Sequence, residues 1–296
     1  MKLIYSDQYD LNLGPHVFQS VKFRLTAEKL IEEGVVAATD LLEPAPASDE
    51  DIGRVHTAEY IRKLKDGTLS YDEILMMEVP YSSALVRAVW LAAGGSTLAG
   101  RTAIEEGVAM NAGGGFHHAY PNHGEGFCVI HDVAVAIRRL QADGAIRTAM
   151  TVDCDVHQGN GTAFIFRDDP SVFTFSIHQE RNYPSFKPPS SLDINLEDGI
   201  EDDAYLAALG DGLDQSLGRF HPDLIFYIAG ADPYREDQLG GLMLSLDGLM
   251  RRDRLVFEKA GTIPVAVTLA GGYARRLEDT VAIHVNTGRV AKEYAR

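Results

Sequence analysis

The chain of 296 residues is poor in cysteine and in positive charge. Its two cysteines, Cys128 and Cys154, are too few for the disulfide framework that stabilises small secreted domains. The 27 lysines and arginines stand against 43 acidic residues, which gives a formal net charge of -16. This balance argues against the basic surface that tight nucleic-acid binding requires, so we expect no nucleic-acid partner.

Export and membrane signals are also missing. The opening stretch MKLIYSDQYD reaches acidic residues before any long apolar core, so it does not have the pattern of a signal peptide. The most apolar helical stretch, ALVRAVWLAAGG, contains Arg87 and is too short to span a bilayer. We therefore expect no membrane association and predict a cytoplasmic protein.

Five short apolar runs rich in Val, Ile, Phe and Thr alternate with helical patterns along the chain. Their nearly continuous apolar character is typical of parallel strands that are covered on both faces. The runs span residues 107–112, 146–153, 171–178, 223–232 and 264–273. The alternation predicts an α/β fold in which a single domain, residues 1–296, has a mostly parallel central sheet with helices on both faces.

An unusual polar cluster ends or follows each of these five runs. In chain order the clusters are GGGFHH, DCDVHQGNG, SIHQ, GADPY and AGGY. In open α/β sheets, ligands bind at the carboxyl ends of the parallel strands. The sequence therefore predicts that all five clusters meet in one active site at this edge of the sheet.

The segment TVDCDVHQGNG, residues 151–161, predicts metal ligands. On an extended backbone Asp153, Asp155 and His157 share one face, and burying these groups without a cation would be costly. A surface turn and a calcium loop are the alternatives. An EF-hand loop is disfavoured because His157 and Gln158 stand where that loop needs an oxygen ligand and a glycine.

Asp232, at the end of an apolar run, is the candidate for a further ligand from elsewhere in the chain. A lone Asp after a strand is more commonly a helix cap or turn residue. Combined with Asp155 and His157, however, it forms a three-ligand set with an open position, which is typical of catalytic zinc. Its carboxylates also suit ferrous iron, which is our second choice of metal.

Two further segments offer groups for catalysis. His117 and His118 follow the flexible run Gly113–Gly115, so one imidazole could serve as a general base while the other adds positive charge. Tyr273 follows two glycines and could donate a hydrogen bond to a developing oxyanion. Exposed loop histidines and a packed aromatic ring are the ordinary alternatives. A catalytic role is favoured over these alternatives because both segments occur together with the other polar clusters at the ends of predicted strands.

Taken together, these motifs resemble those of the zinc-dependent histone deacetylase family, which includes bacterial deacetylase-like proteins and acetylpolyamine amidohydrolases. The family's order and approximate spacing are matched by VHTAEYI, GGGFHHA, GEGFCVIHDVAVAI, VDCDVHQGNGT, TFSIH, GADPY and LAGGY. The chain most resembles the class IV-like or bacterial single-domain branch. The resemblance implies the arginase/deacetylase fold. It also implies a hydrolase of linear amide bonds that removes acetyl or other acyl groups from the lysine ε-amino group.

The resemblance also assigns residues to roles in this reaction. It implies zinc held by Asp155, His157 and Asp232. A zinc-activated water would attack with His118 as general base and then general acid, and Tyr273 would stabilise the oxyanion. His117, oriented by Asp153, would stay charged or polarising. The implied substrate-binding residues are Glu78, Gly126, Phe127, Tyr183 and Arg24, the last lining a cavity for acetate release. A structural potassium ion is implied near Asp153, Asp155, His157, Ser176 and Ile177.

Asn160 departs from the best-known members, which often carry Asp at the position that orients the general base. An amide can hold the ring tautomer of His118, but it stabilises an imidazolium less than a carboxylate would. We expect Asn160→Asp to raise the pKa of His118.

Three alternatives differ in substrate or chemistry. An acetylpolyamine or other small N-acyl amine could be hydrolysed by the same machinery, and the net charge of -16 suits a cationic amine. A two-manganese ureohydrolase would need extra aspartates, but Gln158–Asn160 follow one ligand and Pro233 and Tyr234 follow another. A non-catalytic module that binds acyl-lysine is disfavoured by the intact set of ligands and catalytic groups. No oligomeric state is predicted.

Overall fold

The structure is a computed structural model that describes all residues 1–296. Its eight strands are β1 (Lys2–Ile4), β2 (Leu41–Leu42), β3 (Val108–Asn111), β4 (Ala149–Asp153), β5 (Val172–Gln179), β6 (Leu192–Leu196), β7 (Leu224–Ile228) and β8 (Val265–Thr268). Its ten α-helices are α1 (Val21–Glu32), α2 (Asp49–Ile52), α3 (Ala58–Asp66), α4 (Tyr71–Met77), α5 (Ser83–Glu106), α6 (Asp132–Ala142), α7 (Asn160–Phe166), α8 (Asp202–Arg219), α9 (Leu246–Ala260) and α10 (Leu277–Tyr294).

The strands form one sheet in the order β2-β1-β3-β8-β7-β4-β5-β6, and every pair is parallel. The α/β fold with a parallel central sheet is thereby confirmed. The five predicted strands correspond to β3, β4, β5, β7 and β8. The sequence prediction missed β1, β2 and β6, which extend the sheet at its two edges. β1 and β2 have only three and two residues, and the edge strand β6 (LDINL) alternates apolar and polar residues instead of forming a continuous apolar run.

Helices cover both faces of the sheet, as predicted. Side chains alternate along β8, so that Val265 and Val267 pack into a core of 45 buried residues while Ala266 packs into a second core of 18. Helices α1, α8, α9 and α10 contribute to the larger core, and α5, α6 and α7 to the smaller one. Because both faces of the sheet are buried, successive side chains along its inner strands are mostly apolar, which explains their nearly continuous apolar runs.

The register of the sheet places the predicted polar clusters side by side. The last paired residues of five consecutive strands form a row across the sheet, namely Asn111, Thr268, Ile228, Asp153 and Ser176. Each polar cluster begins at or just beyond this row, at the carboxyl edge. None of the helices combines the length and apolar character that crossing a bilayer requires.

Candidate active site and metal centre

The floor of the site is formed by the ends of the adjacent strands β4 and β7. Asp155, His157 and Asp232 are buried, and one possible ligand atom from each lies within 4.8 Å of the others. Main-chain amides hold the two carboxylates, because Val156 N donates to Asp232 Oδ1 at 2.8 Å and Gly271 N donates to Asp155 Oδ2 at 2.9 Å. The three predicted ligands therefore meet in one place.

Two observations show that this set fits a metal ion. Asp232 Oδ2 is buried without any hydrogen-bond partner, although it lies 3.4 Å from His157 Nδ1. Burial and the nearby Asp155 raise the pKa of Asp232 to about 7, so two ionised carboxylates here are costly without a cation. Gly271 is required beside them, because a Cβ at that position would overlap both carboxylates. Two oxygen donors and one nitrogen suit zinc, and ferrous iron as well.

A buried arginine binds main-chain carbonyl groups next to the floor residues. The Arg252 side chain is fully buried on α9, and its Nη1 faces the carbonyl oxygens of Gly230, at 2.5 Å, and Cys154, at 3.4 Å. These carbonyls adjoin the segments that carry Asp232 and Asp155. Asp253 accepts hydrogen bonds from Arg252 Nε and Nη2 at 3.0 and 2.8 Å. Arg252 was not predicted as a site residue, because it belongs to a helix far from every sequence motif.

The two adjacent histidines have different partners. His117 Nδ1 lies 2.7 Å from Asp153 Oδ2, and His118 Nδ1 lies 2.7 Å from Asn160 Oδ1, with the ring centroids 4.0 Å apart. Burial alone would lower the pKa of His117, but Asp153 and Asp155 outweigh it and raise this pKa to about 9. Burial, together with His117 and His157, holds the pKa of His118 well below 6.5.

These opposite shifts separate the two imidazoles by charge. The shifts favour a protonated His117 beside Asp153 and a neutral His118 that can accept a proton. The pairings that the sequence predicted, Asp153 with His117 and Asn160 with His118, are present in the structure.

The bend that brings both rings to the site is built by a buried aspartate. Asp132 accepts hydrogen bonds from the main-chain amides of Gly115 and Phe116, at 2.8 to 3.1 Å, and from Ser96 Oγ. Gly114 and Gly115 have φ of 76° and 84°, in the left-handed region that favours glycine. Asp132 lies within a quoted motif but had been given no role. A buried Asp beside a His at a helix start was the available signal.

Tyr273 and a buried lysine lie on the side of the site reached by β8. Burial raises the pKa of Tyr273 well above its usual value, so its hydroxyl stays protonated and can donate. Lys22 Nζ lies 5.2 Å from the centroid of this ring and donates to Ala270 O at 2.8 Å. Burial lowers the pKa of Lys22 to about 8, with Asp232 and Asp155 opposing the shift.

Arg24 is the one predicted site residue that the structure places elsewhere. Its guanidinium pairs with Asp10 and Glu28, both at 3.0 Å, and its side chain is 38% exposed. It does not line the apolar cavity beside Phe127. Positions two apart on a helix point in different directions, so Lys22 faces inward on α1 where Arg24 faces solvent.

Four of the five predicted substrate-binding residues, all except Arg24, line one cavity of about 160 Å³ that reaches the floor. Its lining residues are Glu78, His118, Gly126, Phe127, His157, Asn182, Tyr183, Leu239 and Tyr273. Gly126 and Phe127 have φ of 51° and 66°, and a Cβ at Gly126 would come within 2.9 Å of Tyr183 and His118. Of the lining residues, Asn182 and Leu239 were not predicted, because no spacing marks them as part of a wall.

Three residues predicted to bind potassium, Asp153, Ser176 and Ile177, lie on the adjacent strands β4 and β5, and Asp153 also contacts His117. Asp153 and Ser176 are opposite each other across β4 and β5, and Ile177 follows Ser176. Asp153 Oδ1 accepts from Asp155 N at 3.1 Å, and Ser176 Oγ lies 2.9 Å from His178 Nδ1. The structure therefore brings these residues together.

Comparisons with known proteins give a consistent result. Residues 16–287 match the family model described as the histone deacetylase domain. An uncharacterized protein of Picosynechococcus sp. is 41% identical over 280 residues, which cover 94% of this chain and 93% of that one. Histone deacetylase 2 of Arabidopsis thaliana is 31% identical over 95% of this chain and 77% of its own. The crystal structure of an HDAC homolog from Aquifex aeolicus superposes with a TM-score of 0.81 at 25% identity, covering 98% and 83% of the two chains.

Proposed function

This chain belongs to the histone deacetylase family and is a hydrolytic deacetylase, and from that premise we propose that it removes acetyl or other acyl groups from the lysine ε-amino group of a protein or peptide. The observation that carries the proposal is the continuity of the cavity. The side chains of Phe127 and Tyr183 line the same space as His118, His157 and Tyr273. An unbranched alkyl stem that ends in an amide would pass between the aromatic walls and present its carbonyl to the floor.

Asp155, His157 and Asp232 would hold the zinc ion. When bound, it would polarise the amide carbonyl and make a water molecule a better nucleophile. Ferrous iron is the second choice, since the same donors accept it. We further propose a structural potassium ion beside Asp153, Ser176 and Ile177, where side-chain and main-chain oxygens of adjacent strands lie close together.

His118 would move the protons. Its pKa, well below 6.5, keeps the ring neutral, so that it can take a proton from the attacking water. The same ring, now protonated, would give that proton to the departing amine. Asn160 would hold the ring through Nδ1, which leaves Nε2 to face the reacting atoms.

His117 and Tyr273 would stabilise negative charge. His117, an imidazolium held by Asp153, would supply a fixed positive charge beside the reacting carbonyl. Tyr273 would donate its hydroxyl proton in a hydrogen bond to the oxyanion of the tetrahedral intermediate. The amine and acetate would then be released.

A small acylated amine, such as an acetylpolyamine, is the second candidate substrate. The observation that favours it is the exposed carboxylate of Glu78 on the cavity wall, because a cationic amine would be attracted to it. In a peptide substrate the same carboxylate would instead accept hydrogen bonds from main-chain amides.

Hydrolysis of a panel of acyl substrates by zinc-loaded protein tests the proposal. The panel holds acetyl-lysine and longer acyl-lysine peptides, trifluoroacetyl-lysine and acetylated polyamines, each repeated with Asp155→Ala and Tyr273→Phe. We expect turnover of acyl-lysine peptides that both variants abolish or greatly reduce. If only acetylated polyamines are hydrolysed, the substrate is the second candidate, a small acylated amine, and not acyl-lysine. A protein that binds zinc stoichiometrically yet hydrolyses nothing would contradict both and favour the binding module.

A further inference from the structure

We propose that Glu125 is a positioning residue that fixes the reactive tautomer of His118 through Asn160 and at the same time anchors the cavity wall at Tyr183. Glu125 Oε1 accepts hydrogen bonds from Asn160 Nδ2 and from the Tyr183 hydroxyl, each at 2.7 Å. The inference rests on the proposed function of His118 as general base. It adds a carboxylate that the sequence analysis left without a role.

The direction of these hydrogen bonds follows from the chemistry of the groups. An ionised carboxylate can only accept, so the amide nitrogen of Asn160 faces Glu125 and the amide oxygen faces His118. That oxygen can only accept in turn, so His118 carries its proton on Nδ1. Nε2 is then left with a lone pair, which is the form that takes a proton from water.

An amide without this constraint would not select the tautomer. If Asn160 rotated by 180°, its NH₂ group would face His118 and stabilise the ring protonated on Nε2. That form cannot act as a base toward the cavity. An aspartate at position 160 would avoid the ambiguity, because both of its oxygens accept. In this chain Glu125 selects one of the two orientations of the Asn160 amide, the one with its oxygen toward His118.

Glu125 is ionised and well placed for this role. Burial alone would raise its pKa, but hydrogen bonds from His123, Tyr183 and Asn160 outweigh burial and lower it. Its side chain is 21% exposed. Its main chain is pinned by two hydrogen bonds of 2.9 Å with Cys128, from Glu125 N to Cys128 O and from Cys128 N to Glu125 O. The turn that carries the carboxylate is therefore fixed in position.

An aspartate at position 160 would place its negative charge directly beside His118. In this chain the negative charge is on Glu125, which lies on the far side of the Asn160 amide. The groups that face His118 directly are His117, His157 and the perpendicular ring of Tyr183, with centroids 4.0, 5.9 and 4.9 Å away, and the Asp155 carboxylate also acts on its pKa. Glu125 reaches this ring through its partners, the Asn160 amide and the Tyr183 ring. A second carboxylate at position 160 would meet Glu125 directly, and the two would repel each other or share a proton.

Variants that remove the carboxylate at position 125 or place one at position 160 test the inference. The variants are Glu125→Gln, Glu125→Ala, Asn160→Asp and the double variant Asn160→Asp with Glu125→Gln. Glu180→Gln is the matched control, because it removes an exposed carboxylate three residues from Tyr183. We expect Glu125→Ala to lower kcat about ten- to a hundredfold, as loss of an outer partner of a catalytic group does. Glu125→Gln, which keeps an acceptor, should cost less and move the acid limb of the pH profile to lower pH.

The double variant gives the sharpest outcome. Asn160→Asp alone should be impaired by the repulsion, and adding Glu125→Gln should restore about tenfold or more of the loss, since the glutamine NH₂ can donate to Asp at position 160. Glu180→Gln should match the parent. Independent, multiplicative effects of the two substitutions would overturn the inference, as would a Glu125→Ala enzyme with the parent kcat and pH profile.

A readout that needs no substrate separates this inference from the proposed function. In zinc-loaded protein labelled with ¹⁵N-histidine, the His118 ring should be protonated on Nδ1 in the parent, in Glu125→Gln and in the double variant. In Glu125→Ala, signals of the Nε2-protonated form should appear. The inference fails if Glu125→Ala keeps the parent tautomer, whether or not any acyl substrate is hydrolysed. Tyr183→Phe, which removes only the anchor of the wall, should leave the tautomer unchanged.

Discussion

The floor and the wall of the cavity are built in different ways. The floor residues Asp155, His157 and Asp232 follow adjacent parallel strands and are buried, so the register of the sheet decides where they meet. The wall residues Glu78, Phe127 and Tyr183 are at least partly exposed and come from separate loops.

This difference shows what each part depends on. The floor groups are buried, so water cannot take over the contacts that a substitution there removes. The wall side chains border solvent, and their positions depend on the conformations of the turns that carry them. Both Glu78 and Phe127 are non-glycine residues with φ near 60°, a conformation that is retained only where surrounding contacts enforce it. We therefore expect the chemistry to depend on the floor and the choice of substrate to depend on the wall.

The largest effect is expected from Asp232→Asn on the floor. Loss of one anionic ligand should reduce bound zinc and lower turnover by more than about a thousandfold. In the metal-free protein the same change should raise Tm, because burial and Asp155 raise the pKa of Asp232 to about 7 and the folded state is then penalised at neutral pH for an ionised group. Metal analysis and calorimetry check this. A metal-free variant that melts below the parent would contradict the electrostatic account of the floor.

Tyr273→Phe lies where floor and wall meet. Removing the hydroxyl that we propose as the oxyanion donor should lower kcat by about a hundredfold, since one oxyanion donor typically contributes that much. Zinc content and Tm should stay at the parent values. Steady-state kinetics with an acetyl-lysine peptide measure the effect. A parent-like kcat would remove Tyr273 from the mechanism.

The pH dependence of kcat/KM tests the division of charge between the histidines. In the proposed mechanism His118 acts as the neutral ring, so kcat/KM should rise as this ring loses its proton and be flat above its pKa. Because burial, His117 and His157 hold that pKa well below 6.5, the acid limb should lie below pH 6.5. His117→Gln removes one neighbouring positive charge and should move the limb to higher pH. A limb at pH 7 or above in the parent enzyme would conflict with the assignment.

The smallest effect is expected from Glu78→Gln on the wall. Its carboxylate is exposed and borders solvent, so its loss should raise KM for peptides or cationic amines about threefold to tenfold and leave kcat unchanged. The ratio of KM values for a neutral and a cationic substrate separates charge attraction from hydrogen bonding. A fall in kcat equal to the rise in KM would show that the wall takes part in the chemistry.

The sequence predicted the floor better than the wall for a physical reason. Asp155 and His157 come just after β4, which ends at Asp153, and Asp232 comes four residues after β7, so the pairing of these parallel strands places the three residues at one edge of the sheet. The five inner strands were predicted from their continuous apolar runs, whereas β1 and β2 are very short and the edge strand β6 alternates apolar and polar residues.

Residues that act through tertiary contacts escaped prediction. Arg24 and Lys22 lie on one helix, and the sequence alone did not show which of them faces the core. Asp132 and Glu125 lie within quoted motifs, yet their roles depend on which amides and hydroxyls the fold brings to them. A carboxylate between two glycines, as in GEGF, marks a tight turn and could have suggested that Glu125 has a fixed direction.

Arg252 has a consequence for how the ion and the fold depend on each other. The guanidinium holds the carbonyls of Cys154 and Gly230 through contacts that need no metal, and α9 in turn holds the guanidinium. The ligand set is therefore preorganised, and binding an ion would carry little cost in chain entropy. In this respect we expect the protein to differ from small zinc domains, whose folding and metal binding are a single event. A chelator should leave a folded apoprotein that recovers its metal without refolding.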